Sequence, residues 1–285
     1  MAVEELKKTL VLGHRNPDTD SICSAICYAG FKHQLTGENY EPCRAGNVNP
    51  ETQYVLDYFK LKAPRLVENV KTQVKDIEIR KTKGVSRGIS LKNAWGLMQE
   101  NNVVTLPCVT EEGLLEGVIT IGDITKSYMN LYDSSIISKA CTKYANILDT
   151  LEGSMVVGDS EAYFDRGKVL IAAANPDLME NYIEKHDLVI LGNRYESQLC
   201  AIEMEAGCII VCEGAGVSLT IRKLAQERGC AVITTPYDTY TTARLINQSM
   251  PISYFMTIEH LITFNSDDYI DEIRDVMANK RHRDF

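Results

Sequence analysis

Short apolar runs alternate with helical apolar patterns at the start of the chain. Residues 9–12 are apolar and predict a short buried strand, and Asn16-Pro17 predicts the turn that ends it. Helices are predicted over residues 21–34 and 50–59, with a short strand between them and Asn49 as the N-cap of the second helix. The buried stripe of that second helix is predicted to contain three apolar residues, Val55, Tyr58 and Phe59. This order of elements is typical of the start of a doubly wound α/β sheet.

A second pattern begins near residue 66, in which a strand and a helix are followed by two strands and another helix. Its elements are predicted, in chain order, at residues 74–80, 91–98, 103–109, 115–120 and 123–131. The first helix depends on apolar residues at helical spacing, Leu91, Ala94, Trp95 and Met98. Residues 111–113, Glu-Glu-Gly, predict the hairpin turn between the last two strands. A strand over residues 254–257 and a helix over 267–279 repeat the beginning of this pattern.

Strands and helices alternate four times between residues 134 and 250. The strands are predicted near residues 168–173, 187–191, 208–212 and 230–234. Such alternation indicates a parallel sheet covered by helices. Segments 192–196 and 213–216 follow two of these strands and contain glycine, and both are interpreted as structural turns. The second lacks the full glycine spacing of a phosphate-binding loop and carries a carboxylate.

Composition and charge exclude several classes of protein. The net charge of −9 and the lack of a basic tract before residues 280–283 argue against a nucleic-acid partner. No apolar run approaches the ~18 residues of a membrane-spanning helix. The nine cysteines are an odd number and form no metal-type pairs, which favours reduced thiols in the cytoplasm. At 285 residues and 45% hydrophobic content, the chain has room for more than one domain.

The strongest candidate chemistry lies directly after the first predicted strand. His14, Asp18 and Asp20 lie within seven residues of one another in the sequence Gly-His-Arg-Asn-Pro-Asp-Thr-Asp-Ser. An imidazole with carboxylates suits Mn²⁺ or a related divalent ion, and open α/β sheets place ligands at the carboxyl ends of their strands. The alternative is an aspartate-rich turn that only caps the following helix. The histidine four residues before Asp18 favours the metal site.

The same segment resembles the opening signature of the family II, manganese-dependent inorganic pyrophosphatases of the DHH phosphoesterase superfamily. The resemblance continues through residues 22–29 and appears again in residues 45–56, Ala-Gly-Asn-Val-Asn-Pro-Glu-Thr-Gln-Tyr-Val-Leu. It implies that His14 and Asp18 ligate one metal and that Asp20 ligates another. The implied metal is Mn²⁺, with Mg²⁺ or Co²⁺ as alternatives.

Residues 117–123, Gly-Val-Ile-Thr-Ile-Gly-Asp, resemble the Gly-x-x-Thr-x-x-Asp ending of a CBS domain. The resemblance implies that the Thr120 hydroxyl serves the phosphate and the Asp123 carboxylate the ribose of an adenine nucleotide; the alternative is a strand end and a plain helix cap. The full set of nucleotide-binding residues implied by rough alignment is Thr105, Thr120, Asp123, Thr257, His282 and Arg283. Residues 234–240 and the order of elements before them resemble a DRTGG domain.

Together these resemblances imply an α/β chain in which a DHH domain start is followed by CBS units that flank a DRTGG-like domain. The domains are predicted at residues 1–65 (DHH start), 66–133 (first CBS), 134–250 (DRTGG-like) and 251–285 (first half of a second CBS). Pyrophosphatases of this kind carry a regulatory insert in the catalytic domain, and their remaining metal ligands follow it. Because no Asp-His-His triplet occurs here, we expect the chain to be the N-terminal part of a longer enzyme, inactive by itself.

The implied activity is metal-dependent hydrolysis of inorganic pyrophosphate, regulated by AMP, ADP, ATP or diadenosine polyphosphates in the cleft between the CBS segments. A cytoplasmic homodimer without membrane or nucleic-acid partners is expected. Two alternatives stay open. The first is a non-catalytic sensor of adenine nucleotides that keeps a vestigial metal motif, and the second is another DHH phosphoesterase, acting on cyclic dinucleotides or short oligonucleotides.

Overall fold

The computed structural model describes residues 8–79, 82–129 and 133–280, without the side chain of residue 280. The chain divides into two compact units. Of the described residues, those up to 78 and those from 264 onward form the first unit, and those from 79 to 263 form the second. Within the described ranges, no helix is both long enough and apolar enough to span a membrane.

The first unit contains a three-stranded parallel sheet, in which β1 (Thr9–Leu12), β2 (Tyr40–Arg44) and β3 (Arg65–Leu66) are neighbours in that order. Helices α1 (Thr19–Thr36) and α2 (Pro50–Tyr58) connect the strands. The Asn49 side chain accepts a hydrogen bond from the Thr52 N–H and caps α2, as predicted. The predicted strand–helix–strand–helix order is confirmed.

The predicted buried stripe of α2 is wrong for Tyr58 and Phe59, whereas Val55, its third residue, is half-buried. Tyr58 and Phe59 are 71% and 64% exposed, whereas Thr52 and Leu56 are buried. The two aromatic rings pack on each other edge to face, with centroids 5.1 Å apart. The buried face is set by the contact of α2 with α1, where the Thr52 hydroxyl has a hydrogen-bonding partner, and so the most apolar residues of the helix do not define it.

In the second unit, the β-hairpin of β4 (Thr105–Val109) and β5 (Leu115–Thr120) lies between α3 (Leu91–Asn101) and α4 (Ile121–Met129) in the sequence. The predicted helix–strand–strand–helix order is confirmed, although α4 begins two residues before Asp123. The hairpin turn contains Gly113 at φ +83°, a conformation that favours glycine.

The remainder of the second unit surrounds a five-stranded sheet. Its elements, in chain order, are α5 (Ile136–Lys139), β6 (Thr142–Lys143), α6 (Tyr144–Thr150), β7 (Ser154–Val157), β8 (Tyr163–Phe164), β9 (Val169–Ile171), α7 (Pro176–Met179), β10 (Leu188–Leu191), α8 (Tyr195–Glu203), β11 (Cys208–Val211), α9 (Leu219–Arg228), β12 (Ala231–Thr234) and α10 (Thr239–Leu245). The sheet order is β7-β12-β11-β10-β9, with β9 to β12 parallel, as predicted, and β7 antiparallel at the edge.

Both faces of this sheet are covered by apolar side chains. Leu188 and Ile190 of β10 belong to one core cluster, and Val189 and Leu191 belong to a second. Successive strand residues point to opposite faces, so a strand buried on both faces is continuously apolar. This is why the apolar runs of the sequence predicted these strands well.

Two strand predictions are wrong. Residues 74–80 were predicted as a strand, but Val74–Asp76 form a 3-10 turn, because the Asp76 carboxylate accepts the Gln73 N–H and closes it. Residues 254–257 were also predicted as a strand, but Ile252–Tyr254 form a 3-10 turn and only Thr257 makes a bridge, to Val118 of β5.

The last helix of the first unit, α11 (Ile270–Lys280), confirms the predicted C-terminal helix. It follows a segment that pairs with the 3-10 turn within the same unit. Gln73 forms an antiparallel bridge to Tyr269, and the Val74 N–H donates to the Asp268 carbonyl at 3.0 Å. The Lys75 ammonium lies 2.6 Å from an Asp267 carboxylate oxygen.

Candidate functional site

His14 and Asp18 lie together at the carboxyl end of β1. The Asp18 carboxylate is the N-cap of α1, where it accepts the Ser21 N–H at 2.9 Å, and the His14 Nε2 lies 3.3 Å from the same oxygen. Both side chains are more than half exposed. The hydrogen bond from Ser21, followed by the nearby His14, lowers the pKa of Asp18 below its ordinary value. Asp18 is therefore a carboxylate over the whole neutral range, as a metal ligand must be.

Asp20 lies in the first turn of α1, where it accepts a hydrogen bond from the Ser24 hydroxyl at 3.3 Å. Among the described residues, no three histidine, cysteine, aspartate or glutamate side chains are close enough together to hold one metal ion. The structure therefore brings His14 and Asp18 together but does not bring Asp20 into the same group. One nitrogen and one oxygen donor suit Mn²⁺ or Co²⁺ as part of a site.

Close backbone packing supports the loop that carries His14 and Asp18. A Cβ atom on Gly46 would lie 2.6 Å from both the Arg15 carbonyl oxygen and the Pro17 Cδ. The Thr52 hydroxyl of α2 lies 3.0 Å from the Thr19 hydroxyl, and Thr19 stands between the two aspartates. This role of Gly46 and Thr52 was not predicted from the sequence. Their position in the second block of family resemblance was the signal that could have identified them.

Thr120 and Asp123 form a reciprocal capping arrangement at the start of α4. The Thr120 hydroxyl and N–H donate to one Asp123 carboxylate oxygen, at 2.7 and 3.0 Å, and the Asp123 N–H donates to the Thr120 hydroxyl at 3.2 Å. These bonds satisfy the start of a helix. The other carboxylate oxygen lies 4.0 Å from the Lys126 ammonium. One carboxylate oxygen therefore has no hydrogen bond from the described residues.

Two further residues predicted for nucleotide binding lie near this pair along β5. Thr105 stands opposite Thr120 in the β4–β5 register, and its hydroxyl oxygen is buried without a hydrogen-bond partner among the described residues. Thr257 exchanges backbone hydrogen bonds with Val118, two residues before Thr120. His282 and Arg283 lie outside the described residues.

A glycine permits the close approach of Thr257 to β5. A Cβ atom on Gly117 would lie 2.6 Å from the Thr257 carbonyl oxygen, a distance that packed atoms do not tolerate. The first residue of the Gly-x-x-Thr-x-x-Asp sequence therefore has a packing role in this chain.

Backbone hydrogen bonds join the loop after β11 to the loop after β12. The N–H groups of Glu213 and Gly214 donate to the carbonyls of Tyr237 and Thr235, each at 2.8 Å. The Tyr237 hydroxyl donates to Glu152 at 2.7 Å, which fixes the second loop against the end of α6. Because these backbone donors are already used, the segment 213–216 is a structural turn, as the sequence indicated, and has no free donors at Glu213 and Gly214 for a phosphate.

Two known domain families match parts of this chain. The CBS domain family matches residues 74–130, and the DRTGG domain family matches residues 146–249. Both matches fall inside the segments predicted for these domains, whose exact boundaries stay predictions. The resemblances to CBS and DRTGG domains are confirmed.

Two curated relatives match almost the whole chain. A cobalt-dependent inorganic pyrophosphatase of Clostridium perfringens is 38% identical over 275 residues, which are 96% of this chain and 50% of that protein. A probable manganese-dependent inorganic pyrophosphatase of Thermotoga maritima is 29% identical over 282 residues, 99% of this chain and 51% of that protein. The chain spans about half the length of the curated relatives it matches.

A solved structure resembles a large part of the chain. It contains the CBS and DRTGG domains of the regulatory region of the Clostridium perfringens pyrophosphatase, in complex with the activator diadenosine tetraphosphate. The likeness covers 74% of this chain and 92% of that one, with a TM-score of 0.69 and 34% sequence identity.

Proposed function

This chain belongs to the family of metal-dependent inorganic pyrophosphatases that carry CBS and DRTGG domains, and from that premise we propose that it contributes to metal-dependent hydrolysis of inorganic pyrophosphate under control by adenine nucleotides. The observation that carries the proposal is the pairing of His14 and Asp18 at the carboxyl end of β1, inside the pyrophosphatase signature. The proposal includes a cytoplasmic homodimer without nucleic-acid or membrane partners.

In this function His14 and Asp18 hold one divalent ion, and Asp20 contributes to a second. When bound, Mn²⁺ or Co²⁺ lowers the pKa of a coordinated water and stabilises the charge that develops on the phosphate oxygens. The chain's own contribution is to keep a charged ligand in place. The Ser21 N–H holds the Asp18 carboxylate at the start of α1, where the positive end of the helix dipole also favours an anion.

Regulation is proposed to depend on an adenine nucleotide bound beside β5 and α4. AMP, ADP, ATP and diadenosine polyphosphates are the candidate ligands, and the Clostridium perfringens regulatory region binds one of them, diadenosine tetraphosphate. The Asp123 carboxylate would accept the ribose hydroxyls, and the hydroxyls of Thr120 and Thr105 would contact the nucleotide. The buried, unpartnered Thr105 oxygen supports this assignment. Thr257, His282 and Arg283 complete the proposed set.

A phosphate-release assay tests the proposal. We expect the 285-residue chain to hydrolyse pyrophosphate negligibly with excess Mn²⁺ or Co²⁺, because its described residues do not assemble three metal ligands. The full product of its gene should be active under the same conditions. Turnover by the 285-residue chain that disappears in the His14→Ala variant would show that these residues already form a complete catalytic site.

Asp123→Asn should weaken nucleotide binding and flatten the nucleotide response of hydrolysis, because the single amide oxygen is needed by Thr120, whereas the carboxylate keeps a second oxygen free for the ribose. The amide can still cap α4, so the fold should persist, whereas Asp123→Ala removes the cap as well. Calorimetric titration with AMP, ATP and diadenosine tetraphosphate measures the effect. Glu111→Gln in the exposed hairpin turn is the control. Unchanged affinity in both Asp123 variants would contradict this nucleotide site.

A nucleotide sensor without catalysis is the second candidate, because the described residues alone do not form a three-ligand metal group. The two functions differ in one measurement on the full gene product. Tight nucleotide binding without any metal-dependent turnover would support the sensor, and turnover that responds to the nucleotide would support the enzyme.

A further inference from the structure

The second unit contains a cavity of about 540 Å³ at the amino-terminal edge of the five-stranded sheet. Its walls come from the end of β7, the start of β12, the end of α9 and the first residue of α6. None of the described residues that were predicted for metal or nucleotide binding lines it. The volume falls within the range of ~300–1,000 Å³ that is usual for small-molecule sites.

Tyr144 is an unusual part of this wall. The residue is only 7% exposed, yet its hydroxyl is not one of the described polar atoms that are buried without a partner, so the hydroxyl is open to the cavity. Burial raises the pKa of this phenol, so the hydroxyl is a neutral donor at any physiological pH. Water or a polar atom of a bound molecule can therefore pair with this hydroxyl from the cavity.

The charge of the lining selects the class of ligand. Among the described residues of the wall, Asp159 alone is charged. Lys143, next to Tyr144, also acts electrostatically on Asp159, but it is paired with Glu161, so the net charge around Asp159 stays negative. One Asp159 oxygen accepts the Glu161 N–H at 2.9 Å, which leaves the second oxygen for a ligand. The carboxyl-terminal end of α9, at Gln226 and Gly229, adds the negative end of a helix dipole. This arrangement repels phosphates and carboxylates and attracts a cation.

The rest of the wall is apolar or made of backbone. Val156, Val157 and Ala162 supply methyl groups, and Gly207 and Gly229 expose the main chain. We propose that this cavity binds a small organic ammonium ion, with its charged nitrogen at Asp159, its hydrocarbon part against the apolar wall, and a hydrogen bond to the Tyr144 hydroxyl. The site is independent of the proposed pyrophosphatase function.

Three probes of similar shape and different charge test the proposal on the 285-residue chain: benzylammonium, benzyl alcohol and benzoate. Saturation-transfer NMR detects binding, and titration gives each Kd. Benzylammonium should bind at least about tenfold more tightly than benzoate, since its ammonium can form a charge-assisted hydrogen bond with Asp159 and benzoate meets a like charge there. Equal binding of the three probes, or no binding of any, would overturn the proposal.

Variants of the wall separate charge from packing. Asp159→Asn can still accept the Glu161 N–H but should remove most of the preference for benzylammonium. Tyr144→Phe leaves the ring in the core and should weaken benzylammonium and benzyl alcohol alike, by roughly three- to tenfold. Glu227→Gln, an exposed carboxylate of α9 outside the wall, is the matched control and should change neither. Thermal melts check that each variant is folded. If the Asp159→Asn variant still prefers benzylammonium, Asp159 is not the source of the charge selectivity and the proposal is wrong.

Discussion

Asp18→Asn is expected to lower pyrophosphate hydrolysis by the full gene product by several orders of magnitude while leaving the fold intact. Asparagine caps helices as well as aspartate does, so the Ser21 N–H keeps an acceptor and α1 keeps its start. What disappears is the negative charge that a divalent ion requires. The two roles of this residue, helix cap and metal ligand, are therefore separable by one substitution.

Phosphate release with Mn²⁺ or Co²⁺ and a direct measurement of metal affinity check this expectation. Asp57→Asn is the control, because Asp57 is an exposed carboxylate of α2 in the same unit that bonds only Gln53 among the described residues. A variant with Asp18→Asn that binds metal and turns over normally would mean that the motif is a structural turn.

Gly117→Ala is expected to destabilise the second unit by about 1–3 kcal/mol, the usual cost of forcing extra atoms into a packed site. The new methyl group would lie 2.6 Å from the Thr257 carbonyl oxygen, so the backbone pairing of Thr257 with Val118 must separate. Nucleotide binding should weaken along with stability if Thr257 belongs to that site.

Urea unfolding and calorimetric titration measure the two effects of the Gly117 substitution. Gly96→Ala in α3 is the matched control, because a Cβ atom there meets nothing within 4 Å. Alanine favours a helix over glycine by about 1 kcal/mol, so this control should be neutral or stabilising. Equal stability of the two variants would show that the chain at Thr257 moves away from β5 without cost.

The sequence by itself determined the features that depend on neighbours along the chain. His14, Asp18 and the N-cap of α1 lie within a few residues, so the strand end and the capped helix bring them together without help from the rest of the fold. The hairpin of β4 and β5 follows from its turn residues. The parallel strands β9 to β12 follow from apolar runs that are buried on both faces of a sheet.

Tertiary structure alone decided which faces are buried and which distant residues meet. Tyr58 and Phe59 are apolar but exposed. Thr52 is polar but buried, because its hydroxyl forms a hydrogen bond with the hydroxyl of Thr19, which lies 33 residues earlier in the chain. Residues 254–257 have strand-forming side chains, yet only Thr257 finds a pairing partner. The cavity lined by Tyr144 and Asp159 likewise has no local signature. Hydrogen-bond satisfaction and close packing are properties of pairs distant in the chain, and periodicity cannot report them.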